Sequence, residues 1–130
     1  MAESFREIRE KLFLRASQTR PGEGWKEIVR TYLSVEHFER PHVGCPIAAL
    51  APDLARVKPS VKRRMARVIE QHRNELMPFF PGQNAAEKEK NFILAITAMA
   101  GAVSFARTLT DYAAQQKVLE TMREHLLGTL

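Results

Sequence analysis

The 130-residue sequence predicts an all-α fold, a helical bundle of about six helices, and three observations carry that expectation. Apolar residues recur at three- and four-residue spacing in nearly every segment. No short alternating run bounded by hairpin turns occurs, and proline or glycine separates the periodic segments. At roughly 100–200 residues per domain, the length fits one domain over residues 1–130. A composition of 45% hydrophobic and 27% charged residues is near the globular average and excludes a disordered or fibrous chain.

The first helix is expected from a capping-box pair, Ser4 and Glu7, through Phe5, Ile8 and Leu12 to about Ser17. Pro21-Gly22-Glu23-Gly24 breaks it. Trp25, Ile28, Val29, Tyr32 and Leu33 then mark a second helix ending near Val35, and His37 to Gly44 reads as an irregular connection. Pro46 suits the first position of a third helix carrying Ile47, Leu50, Leu54 and Val57, with a kink at Pro52. Pro59 opens a fourth, whose stripe is Val61, Met65, Val68, Ile69, His72 and Leu76, and Pro78 with Pro81-Gly82 closes it. The longest helix is expected from Ala85 to about Thr108, and the last from about Ala113 to Leu127, with Val118, Leu119, Met122 and Leu126 on one side.

Between Phe92 and Ala106 only Thr97 and Ser104 are polar. Those fifteen residues fall short of the roughly 20 that cross a bilayer, so a membrane partner is not expected. A helix apolar on every side must be covered on every side, and in so small a domain a second copy of the chain is the simplest cover.

Chemistry is sparse. The Gly-rich phosphate loops and the HExxH, CxxC and GxSxG motifs are missing, so no enzymatic activity, cofactor or metal is expected. Cys45, near His37 and His42, is either a buried inert thiol, a nucleophile, or one ligand of a zinc set with Glu36 or Glu39. His72 on its apolar stripe is either a core histidine bonded to a neighbour or a polar anchor in a pocket. Trp25 and Tyr32 carry the same choice between core and ligand contact. The net charge of +5 owes much to Lys58, Lys62, Arg63, Arg64 and Arg67, which read as a solvated face because no aromatic residue interleaves them. One cysteine closes no internal disulfide, and no secretory leader follows Met1, so a cytoplasmic location is expected.

Tyr32-Leu33-Ser34, then Gly44-Cys45-Pro46-Ile47-Ala48-Ala49-Leu50-Ala51-Pro52-Asp53-Leu54-Ala55-Arg56, resembles the C-terminal, ligand-sensing half of the tetracycline-repressor (TetR/AcrR) family of transcriptional regulators. Ala98-Met99-Ala100-Gly101-Ala102-Val103 with Phe105-Ala106-Arg107 is similar to that family's long penultimate helix, and Val118-Leu119 to Leu126 to its last. The resemblance implies a homodimer whose last two helices pair into a four-helix bundle, here through Ala98, Gly101, Ala102, Phe105, Val118, Met122 and Leu126. It also implies a site for a small hydrophobic effector between the second, fourth and fifth helices. The expected walls are Trp25, Val29, Tyr32, Met65, Ile69, His72, Phe92, Ile96 and Met99, with Cys45 at an edge. The helix at Ser4–Ser17 would be the linker to the DNA-binding heads. The helix-turn-helix of family members has no counterpart in these 130 residues, so DNA is expected as a partner only through such a domain. A helical protein–protein adaptor without a pocket is the alternative.

Overall fold

Prolines and glycines mark helix boundaries at Pro21-Gly22, Pro59 and Pro81-Gly82. The computed structural model describes residues 2–39 and 58–130, and all their regular structure is helical. The helices are α1 (Ala2–Ser17), α2 (Gly24–Tyr32), the short α3 (Val35–Glu39), α4 (Pro59–Leu76), α5 (Ala85–Arg107) and α6 (Tyr112–Thr129), with a 3-10 turn at Met77–Phe79 after α4. The expected helix from Pro46, with its kink at Pro52, lies outside the described residues.

The turn between α1 and α2 follows from Pro21 and Gly22. Proline pre-sets its own φ, and Gly22 takes φ +85°, so the Glu23 N–H reaches the Arg20 carbonyl at 2.9 Å. α4 begins on Pro59, where a missing N–H costs nothing. α5 begins on Asn84, whose side chain accepts from the Glu87 N–H at 2.9 Å, while the Glu87 carboxylate accepts from the Gln83 N–H at 2.7 Å. Asp111 caps α6 by accepting from the Ala114 N–H at 3.1 Å.

Two expectations are corrected. Ser4 lies inside α1, which begins at Ala2, so it is not an N-cap; the side-chain cap is found instead at Asn84, with Glu87 accepting from the residue before it. The second helix stops at Tyr32, and Val35–Glu39, expected to be mostly irregular, forms a further helical turn and a half.

One apolar cluster joins these elements. Ile8 and Leu12 of α1, Ile28, Val29 and Tyr32 of α2, and Leu76 of α4 meet Phe92, Met99 and Val103 of α5 and Leu119 and Leu126 of α6. α6 packs along α5, and α1 lies against both α2 and α4. Alanines 95, 100, 102 and 106 keep the buried face of α5 thin, so neighbouring helices approach closely. No described helix is long and apolar enough to cross a membrane.

Candidate functional site

Six of the residues expected to wall a pocket are packed together in the core. Trp25, Val29, Tyr32, Phe92, Ile96 and Met99 all belong to the central cluster, with Val29, Tyr32 and Met99 fully buried. Phe92 sits edge-on against Phe80, ring centroids 5.5 Å apart. Met65 is buried on α4 and Ile69 is half-buried there. Cys45 lies outside the described residues, as does His42.

His72 stands where α4 meets α1. It is buried, its Nδ1 lies 3.1 Å from the Val68 carbonyl one turn earlier, and its Nε2 is buried without a hydrogen-bond partner among the described residues. Removal from water lowers its pKa from 6.5 to about 4; the Val68 carbonyl opposes that shift, and the nearby Arg9 guanidinium adds to it. Arg9 itself is buried, donating to Gln71 Oε1 at 2.9 Å and pairing with Glu75 Oε2 at 3.0 Å. His72 therefore stays neutral at physiological pH, as an element of this seam.

Of the residues expected at a dimer interface, Ala102 and Leu126 are buried within their own chain, and Ala98, Val118 and Met122 are half-buried against the core. Gly101 and Phe105 face solvent. With Ile93, Leu94 and Thr97 they form a stripe along the outer face of α5, on which Ile93 is 47%, Leu94 50% and Phe105 58% exposed. A side chain added at Gly101 would meet nothing within 4 Å. A shallow apolar depression bounded by Ala86, Glu89 and Lys90 continues the stripe toward the start of α5.

A cleft of about 400 Å³ opens elsewhere, between the α1–α2 turn and the α4–α5 turn. Its lining includes Ala16, Arg20, Pro21, Gly22, Phe79, Pro81, Gly82 and Lys88, none of which the periodicity pointed to. The available signal was the pair of Pro-Gly turns, Pro21-Gly22 and Pro81-Gly82, whose meeting in space cannot be read from spacing. Gly24 forms the floor of the crossing: a Cβ there would stand 2.8 Å from Phe79 Cδ1 and 3.0 Å from the Ala16 carbonyl oxygen.

The basic residues Lys58, Lys62, Arg63, Arg64 and Arg67 are all exposed on or just before α4, as a solvated face requires. Among the described residues no group of three or more His, Cys, Asp and Glu could hold a metal ion. Glu36 pairs with Lys11 at 3.0 Å, and Cys45 and His42 of the zinc alternative lie outside the described residues. Comparison with known proteins finds no matching family model, no matching curated protein and no matching solved structure.

Proposed function

We propose that the chain is a self-associating, effector-sensing helical domain of the TetR/AcrR kind, with α5 and α6 of two copies forming a four-helix bundle. The outer stripe of α5 is the observation that supports this reading. Large apolar side chains held at half exposure on one helix face mark an interaction surface more often than scattered surface residues do. The stripe also matches itself: in an antiparallel twofold pair, Ile93 faces Phe105 of a second copy and Thr97 faces Gly101, large groups at the ends and small ones at the crossing. Gly101 in mid-helix sacrifices up to about 1 kcal/mol of helix propensity relative to alanine, a cost that close approach of a partner helix offsets.

In this reading a small hydrophobic ligand biases the packing of α2, α4 and α5, preferring one arrangement of the pocket-wall residues over another. DNA recognition would belong to a helix-turn-helix unit, and the change in packing would reach it through α1. The closed packing around Val29, Tyr32 and Met99 favours a second reading, a helical adaptor whose α5 stripe takes a different protein and which encloses no ligand.

Light scattering coupled to size-exclusion chromatography across a dilution series separates the two. The first reading expects a dimer that persists in high salt, and Phe105→Glu weakens it about 30-fold or more, because a charge replaces an apolar contact at both ends of the symmetric pair. The fold itself should change by less than about 0.5 kcal/mol, because Phe105 is exposed. A monomer at every concentration overturns self-association and puts the adaptor first.

A further inference from the structure

The cleft between the two Pro-Gly turns carries an unbalanced positive charge. Two cations, Arg20 and Lys88, line it, and no acidic side chain does. Of the acids nearest in sequence, Glu23 pairs with Lys26 at 2.6 Å and Glu89 with Arg73, while Glu87, packed behind Gly82, is held by accepting from the Gln83 N–H at 2.7 Å. Arg20 makes no ion pair among the described residues. Lys88 Nζ donates to the Pro78 carbonyl at 3.2 Å, which anchors the ammonium at the rim and leaves two of its three protons available.

The rest of the lining is stiff: Ser17 and Thr19 donate their hydroxyls to the Leu14 and Arg15 carbonyls at 2.9 and 2.7 Å, and the remaining side chains are apolar. Phe79 is held edge-on against Phe13, ring centroids 5.6 Å apart, and its ring edge is fixed against Gly24. Pro21, Pro78 and Pro81 add rigid apolar surface. Gly82 is required by close approach, since a Cβ there would stand 2.6 Å from the Lys88 amide nitrogen. These constraints preform the walls, so a ligand pays little ordering entropy on entry. A volume of about 400 Å³ lies toward the small end of the roughly 300–1,000 Å³ range of small-molecule sites.

We propose that this cleft binds an amphipathic organic anion, a carboxylate whose apolar body lies against Phe79 and Pro21 while Arg20 and Lys88 meet its charge. The site shares no residue with the outer stripe of α5, and its occupancy does not depend on self-association.

Decanoate, below its aggregation concentration, is the probe, with decyltrimethylammonium as its cationic counterpart. Binding is read by calorimetry and by the backbone amide resonances of the glycines. Decanoate is expected to move the resonances of Gly22, Gly24 and Gly82 and to leave Gly101 and Gly128 in place. The cation is expected to bind at least about tenfold more weakly. The double variant Arg20→Gln, Lys88→Gln, at an exposed and a half-buried position respectively, should keep the fold and lose about tenfold in decanoate affinity, the sum of two modest surface charge contacts. Equal binding of the cation, an unchanged double variant, or shifts at Gly101 in place of the cleft glycines would each overturn the proposal.

Discussion

The α5–α6 seam and the α1–α4 seam perform the same task with opposite chemistry. In the first, alanines, Met99, Val103 and Leu119 are buried in a continuous apolar cluster. In the second, Ile8 and Leu12 share the interface with a buried arginine, its glutamine and glutamate partners, and a buried histidine. Apolar packing is indifferent to pH and sensitive to volume. The polar seam is the reverse, because in a low-dielectric setting each buried polar group is stabilising only while its protonation state and partners are right. The two halves of the molecule should therefore fail under different insults.

The largest effect is expected from volume. Met99→Ala removes a fully buried side chain from the apolar cluster and should cost about 2–5 kcal/mol, read from the urea midpoint at neutral pH. The loss should be the same at pH 7 and at pH 5, since no carboxylate or histidine belongs to that cluster. A loss that grows with acidity would erase the distinction between the seams.

The next effect belongs to His72. Above pH 6.5 the imidazole is neutral in both folded and unfolded chains and contributes no pH dependence. Between pH 6.5 and about 4 the unfolded chain takes up a proton that the folded one refuses, so stability falls as pH falls. Below about 4 both forms are protonated and the contribution levels off. The whole window is worth roughly 3 kcal/mol. His72→Gln should remove this part of the acid sensitivity, seen as a flatter plot of unfolding free energy against pH. If the variant and the parent run parallel through that window, the histidine is not what makes the α1–α4 seam pH-sensitive.

The smallest effects lie at the helix starts. Asn84→Ala should cost about 1 kcal/mol, because the Glu87 N–H loses its acceptor. Ser4→Ala, inside α1, should change the melting temperature little. Equal losses from the two substitutions would restore the cap that the sequence pattern placed at Ser4.

The contrast between seams also explains what could be read in advance. Helix identity was legible wherever proline or glycine ended a periodic run, as at Pro21-Gly22, Pro59 and Pro81-Gly82, because those residues act through their own backbone. Helix faces were legible on α2 and, from Met65 onward, on α4, where polar and apolar sides differ; Val61, expected on the same stripe, is exposed. On α5 they were not: Ile93 and Ile96 are chemically alike, and only tertiary packing exposes one and buries the other. The burial of Arg9 was likewise hidden, since it depends on Gln71 and Glu75 arriving from a helix far along the chain. The cleft was invisible for the same reason, being assembled from two turns with no shared periodicity.

Gly24 has a consequence for how this sequence can drift over generations. The backbones of α1 and α2 and the ring of Phe79 converge on a point with no room for a methyl group. Neighbouring positions can exchange one apolar residue for another by adjusting rotamers, but this one admits no such compromise. A lineage that replaced Gly24 would have to retire Phe79 or re-angle the first two helices in the same step. The wall of the cleft and the opening hairpin of the fold are thereby tied to a single codon.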